Sequence, residues 1–191
     1  MVLELYRQIT VLIQPIGFID LNILERLAFN LNSKFEFFKT TISNKFLPLL
    51  NEAYNKRRGQ YNSTMLLNYL RRIVDVDYHD KVLGIVDVDI YANGLNFVFG
   101  EALLKGSFSI ISLFRLRPEY YGSEVNLELF YKRTLKEAVH ELGHTLGLTH
   151  CTNRKCVMYF SNSIYDTDYK SYEFCSECRF KILSLISKSK V

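Results

Sequence analysis

The chain has no stretch that approaches the ~20 uninterrupted apolar residues a membrane span requires, and only three prolines in 191 residues. It has no internal repeat, low-complexity tract or linker-like segment, so a single domain over residues 1–191 is the expectation. The start, Met1 to Ile13, is interrupted by Glu4, Arg7 and Gln8 and lacks the basic opening and long apolar core of a signal peptide. A cytoplasmic protein is therefore expected. There is also no strong charge of one sign. The net charge is +4, and the densest basic spots, Lys56–Arg57–Arg58 and Arg71–Arg72, are short. Nucleic-acid binders concentrate such residues in a stripe, so that class is excluded along with membrane partners. What remains, 48% hydrophobic and 23% charged residues, is ordinary for a globular chain with a real core.

The pattern along the chain is mixed. Leu5 to Ile13 reads as a strand ended by the turn Gln14–Pro15–Ile16–Gly17. Asp20 is placed to cap a helix whose Leu24, Leu27, Ala28 and Leu31 recur at helical spacing. Phe35 to Ile42 reads as a strand, and Ser63 or Thr64 opens a helix through Leu66, Leu67, Leu70 and Ile73. Lys81 to Ile90 is a candidate central strand, Asn96–Phe97–Val98–Phe99 a short one bounded by glycines, and Ser107 to Leu113 another. Helices follow from about Val125 to Leu146 and from about Ser176 to Ser187. Interleaved strands and helices imply an α/β domain with a largely parallel sheet.

One stretch carries chemistry: His140–Glu141–Leu142–Gly143–His144–Thr145–Leu146–Gly147–Leu148–Thr149–His150. Four residues apart on a helix, His140 and His144 share a face and can reach one metal. Gly147 suits the left-handed residue that reverses the chain after a helix, which brings His150 round as a third ligand. Three imidazoles leave a fourth position of a tetrahedral zinc open for water, as a catalytic site requires. Glu141 is then the candidate general base for attack on a carbonyl. The fourth histidine, His79, sits in the polar run Asp77–Tyr78–His79–Asp80 and is expected to be a surface residue.

All four cysteines follow this motif. Cys151 and Cys156 form one pair, Cys175 and Cys178 another, with eighteen residues between the pairs. That spacing suits a tetrahedral thiolate zinc site. Two disulfides are an alternative that a reducing compartment disfavours. A redox Cys-x-x-Cys at Cys175 and Cys178 would leave the first pair unexplained. Met158, two residues past Cys156, is a candidate apolar floor under the histidines, or an ordinary core methionine. Tyr159 and Tyr165 are candidates to stabilise an oxyanion by their nearness in sequence alone.

The run from His140 to His150 resembles the elongated zinc motif of metzincins, and Met158 their Met-turn residue. With Cys151, Cys156 and the later Cys-x-x-Cys, the pattern resembles the archaemetzincin family in particular. Arg58 with Gln60–Tyr61, Leu83–Gly84 to Asp89, Asn96 to Gly100 and Ser112 to Leu116 add to the likeness. The resemblance implies a zincin-like metzincin fold, with a twisted, mostly parallel mixed sheet, an antiparallel edge strand and a long active-site helix. Residues 1–147 would hold the sheet and that helix, and 148–191 a zinc-stabilised C-terminal subdomain. It implies two zinc ions: a catalytic one on His140, His144 and His150, and a structural one on Cys151, Cys156, Cys175 and Cys178. Glu141 is implied as the catalytic residue. Asn96, Phe97, Val98 and Phe99 are implied as the edge strand against which a peptide substrate lies. The activity implied is that of a monomeric zinc metallopeptidase. A weakly active or non-catalytic zinc-stabilised peptide-binding protein is the alternative, and a thiol redox protein a third.

Overall fold

The computed structural model describes residues 7–76 and 78–188. Leu5 and Tyr6 of the expected first strand, and Asp77, lie outside them. Strand β1 is Ile9–Pro15, and helix α1 follows over Leu21–Lys34. Asp20 caps α1 by accepting from Asn22 N, and the expected stripe of Leu24, Leu27, Ala28 and Leu31 is buried. The second strand, β2, is shorter than expected, Phe38–Ile42. The N–H of Phe35 is taken by Leu31 O, closing the last turn of α1, so pairing begins later.

A small sheet begins with β3 (Tyr54–Asn55) and β4 (Gln60–Asn62), and α2 runs over Ser63–Ile73. The helix opens at Ser63, as expected, and Asn62 caps it by accepting from Met65 N. The expected strand Lys81 to Ile90 is two strands, β5 (Lys81–Val86) and β6 (Ile90–Tyr91). They are separated where Asp87 pairs with Arg117 and Asp89 with Arg115, each in a two-pronged contact. Next come β7 (Gly100–Ala102), β8 (Phe108–Ser112), α3 (Leu127–Thr145), α4 (Ile164–Tyr169) and α5 (Ser176–Lys188).

The main sheet has the order β2-β1-β5-β8-β7. Its first four strands are parallel, and β7 runs antiparallel to β8 at the edge. The second sheet is β3-β4-β6. Side chains alternate across the central strand. Leu83 and Ile85 of β5 enter a core with α1, α3 and α5, whereas Val82 and Val86 enter one with α2. Both faces of the parallel sheet are thus covered by helices. No helix among the described residues is long and apolar enough to cross a membrane.

The edge-strand expectation needs correction. Asn96, Phe97, Val98 and Phe99 are not in strand conformation, and the antiparallel edge strand is β7, beginning at Gly100. The carbonyls a strand would offer its neighbour are already taken. Arg58 donates to Leu95 O (2.9 Å) and Asn96 O (2.7 Å), and Gln60 also donates to Asn96 O (3.1 Å). The Arg115 guanidinium, held by Asp89, lies 4.4 Å from the centre of the Phe97 ring. Pairing with β8 starts only at Phe99, whose carbonyl accepts from Ser112 N.

Candidate metal centre and cleft

Helix α3 places His140 and His144 one turn apart, and the chain reverses directly after it. Gly147 has φ +95°, its N–H bonds to His144 O (2.9 Å), and Leu148 N bonds to Gly143 O (3.0 Å). This pair of bonds satisfies the last carbonyls of the helix and requires a left-handed residue, which glycine supplies without strain. The reversal returns His150, whose ring centre lies 5.4 Å from that of His140 and 4.8 Å from that of His144. Phe160 packs on its other side, 4.8 Å between centres.

The tautomers follow from the far side of each ring. His140 Nδ1 donates to Val157 O (2.7 Å) and His144 Nδ1 to Leu148 O (2.8 Å). Because a carbonyl only accepts, the proton sits on Nδ1 and each Nε2 carries a lone pair. Those two Nε2 atoms are 3.1 Å apart. A tetrahedral ion with metal–nitrogen bonds of about 2.0–2.1 Å has nitrogen–nitrogen edges of about 3.3 Å, so the donors fit zinc. Burial, reinforced by the positive charge of Lys170, pushes the pKa of His140 well below its ordinary value. That favours the neutral, ligating form.

Met158 is fully buried under this face. A Cβ built on Gly143 would collide with the Met158 sulfur, so the close approach of α3 to Met158 depends on glycine at that position. Glu141 is buried beside the histidines. Its carboxylate lies against Gly100 of β7, where an added Cβ would come within 2.6 Å of Glu141 Cγ. Burial, aided by the negative charges of Glu137 and Glu101 and opposed by Lys170, raises the Glu141 pKa well above the carboxylate range.

The four cysteines converge separately and none is in a disulfide. Cys151 Sγ and Cys175 Sγ are 3.8 Å apart, far beyond a sulfur–sulfur bond. It matches the edge of a tetrahedron with metal–sulfur bonds of about 2.3 Å. Asn153 N points at Cys151 Sγ (3.4 Å) and Cys175 N at Cys156 Sγ (3.3 Å). The two clusters are mechanically joined. His150 and Cys151 are adjacent, and Cys151 N donates to Met158 O (2.9 Å). His79 is elsewhere, with Nε2 2.9 Å from Thr41 Oγ1.

A cavity of about 580 Å³ opens over the histidines. Its floor includes Glu137, His140, Glu141 and His144 of α3. One wall is residues 95–99 with β7, and the other is Phe160–Ser161–Asn162. So Asn96 to Phe99 line the cleft, though as a loop. Tyr159 and Tyr165 do not line it, and Tyr165 is 80% exposed, so neither is placed for an oxyanion.

The family model described as Peptidase family M54 matches residues 16–184. The chain belongs to peptidase family M54. Relatives of this M54 peptidase include the archaemetzincin of Saccharolobus solfataricus, 42% identical over 179 residues (93% of this chain and 95% of that protein). The archaemetzincin of Pyrococcus furiosus is 40% identical over 185 residues (95% and 96%). Among solved structures, the archaemetzincin of Archaeoglobus fulgidus with malonate superposes with a TM-score of 0.77 at 41% identity, covering 90% of this chain and 99% of that one. The Methanopyrus kandleri archaemetzincin superposes with a TM-score of 0.81 at 35% identity, covering 93% and 95%. This M54 chain is a zinc metallopeptidase with the metzincin fold.

Sequence reasoning missed part of the cleft. Glu137 lies one turn before Glu141 on the same helix, and its spacing of four was a signal that went unused. It pairs with Lys170 across 3.2 Å, with side chains 3% and 0% exposed. Thr167 Oγ1 also donates to Glu137 (3.1 Å), and Lys170 reaches Tyr159 O (3.4 Å). The pair therefore ties α3 both to the segment after α4 and to the wall that follows Met158. Replacing Lys170 with Met strands a buried carboxylate and is expected to cost about 3–5 kcal/mol in urea unfolding of the zinc-loaded protein. Adding Glu137→Met should restore more than half of that loss; equal losses in single and double variants would contradict the pairing.

Proposed function

We propose that the chain hydrolyses peptide bonds at the three-histidine centre, with Glu141 as general base, and that the four cysteines hold a second, structural zinc. The observation that supports this is that Glu141 lines the same open cavity as His140, His144 and His150, whose ring nitrogens converge. Zinc held by His140, His144 and His150 would supply a Lewis acid that polarises the substrate carbonyl and acidifies water to a pKa of about 7. Glu141 takes the proton of the attacking water and returns it to the leaving amine. The free outer edge of β7 offers main-chain groups to an extended peptide, gripping it with little sequence preference. The cysteine cluster is closed by four thiols, which suits a structural ion and leaves no position for substrate.

The competing reading, a zinc-stabilised peptide-binding protein without turnover, leaves Glu141 without a task. Glu141→Gln tests the two. It is expected to lower kcat on a peptide library by at least about 10³-fold, while zinc content and thermal midpoint stay as in the parent. Full activity in that variant would exclude the mechanism. The hydrogen bond from Cys151 to Met158 predicts coupling between the centres. Cys156→Ser should weaken chelator-resistant zinc binding at the histidines about tenfold as well as empty the cysteine site. Unchanged affinity at the histidines would show that the two centres are independent.

A further inference from the structure

The last four carbonyls of α3 all have partners. Leu142 O accepts from Leu146 N (3.0 Å) and Gly143 O from Leu148 N (3.0 Å), within the reversal itself. The other two draw on distant parts of the chain. His144 O accepts from Lys105 N (3.0 Å) as well as from Gly147 N, and Thr145 O accepts from Lys81 Nζ (2.9 Å). Lys105 belongs to the turn between β7 and β8, and Lys81 is the first residue of β5. The Lys81 ammonium also donates to Gly106 O of that turn (2.7 Å). One half-buried cation therefore joins the end of the helix to the turn.

The turn adopts an unfavourable conformation to make this junction. Lys105 has φ +57°, and among the described residues no other non-glycine residue has a positive φ. A left-handed backbone is disfavoured for a residue with a Cβ and persists only where the surroundings fix it. Here Gly106 N closes the turn on Leu103 O (2.8 Å), while Lys105 N is aimed at His144 O. The Lys105 side chain lies on Gly147, where an added Cβ would come within 2.9 Å of Lys105 Cγ. Burial lowers the pKa of Lys81, opposed by the negative charge of Asp80. The partly desolvated ammonium is nevertheless well placed, because the last carbonyls of a helix gather negative charge. Strand β7 and its turn thus meet α3 at two points, Gly100 against Glu141 and Lys105 against His144.

We infer that Lys81 is a positioning residue for the histidine centre, its ammonium clamping the C-terminus of α3 to the β7–β8 turn and so fixing where His144 and the reversal to His150 stand. This rests on the reading of the three histidines as a zinc site. Both acceptors of Lys81 are main-chain carbonyls, so it acts through the helix end and not on the reacting atoms. Without the cation, Thr145 O loses its partner and the turn loses its tie to β5. His144, one residue earlier, and the chain leading to His150 are then less well held, and three ligands that must converge on one ion do so less closely. The cysteine cluster shares no hydrogen bond with this clamp among the described residues.

The test uses the zinc-loaded full chain and reads the zinc released to increasing chelator; the step that His144→Ala abolishes is that of the histidine ion. Lys81→Met is expected to weaken zinc at that step about tenfold and to leave the cysteine ion as in the parent. Lys81→Arg, which keeps a cation with several donors, should return the step to within about threefold of the parent. Lys105→Val asks the same question from an exposed position. Its branched side chain disfavours the left-handed backbone, so it should weaken the same step by about threefold or more, whereas Lys105→Gly should not. Histidine-site zinc within about twofold of the parent in Lys81→Met overturns the assignment, and in Lys105→Val it does so if Lys81→Met does not fold. Equal weakening of both ions also overturns it, since that marks a general loss of structure. A parent without a histidine step overturns the zinc reading beneath it, a failure distinct from that of Lys81 alone.

Discussion

Two imidazole lone pairs, on His140 and His144, are held 3.1 Å apart by hydrogen bonds on the far sides of their rings. Left to themselves such lone pairs repel, and the arrangement suits a cation between them. Much of the C-terminal chain serves this convergence. Val157 and Leu148 supply the carbonyls that set the tautomers, Gly147 supplies the reversal, and Met158 fills the space beneath. The cysteine cluster brackets the same segment, so that the carbonyl of Val157 and the side chain of Met158 are positioned from both ends. The contact from Cys151 N to Met158 O is the link by which the one cluster is proposed to steady the other.

The rest of the molecule presents that centre to a substrate. The parallel sheet buries both faces under helices and leaves one antiparallel strand, β7, with an open edge at the mouth of the cleft. Gly100 on that strand lets the Glu141 carboxylate lie against the sheet edge. The opposite wall is fixed by a polar interface between α3 and the α4 region. Arg133 grips Asp168, Lys136 donates to Thr167 O and Asp168 O, and Glu137 meets Lys170. Buried ionic contacts of this kind add modestly to net stability but define where the wall stands. These contacts tie that wall to α3, which suits the peptidase site proposed above.

What could be read from the chain was what is local. The histidine spacing, the glycine that turns the helix end and the cysteine pairs express their chemistry over a few residues, and α1 and α3 carry long periodic stripes and caps. Features that depend on distant partners were not readable. Phe97–Val98–Phe99 alternates like a strand, and the two phenylalanine rings do meet, edge to face, 5.2 Å between ring centres. Yet the carbonyls before them are claimed by Arg58 and Gln60, residues more than thirty positions away. Helix α4 is six residues long and shows no period, although its Ser163–Asp166 capping box was present in the sequence. The Glu137–Lys170 pair exists only once the segment after α4 meets α3, and the contact of Gly100 with Glu141 only once the sheet edge does.

The most direct measurement is metal content by elemental analysis of the purified chain and of its His144→Ala variant. Two zinc ions per chain falling to one is the result this account predicts, since it assigns one ion to the histidines and one to the cysteines. One ion in both proteins would contradict it, because the histidine cluster would then not be a zinc site of this protein.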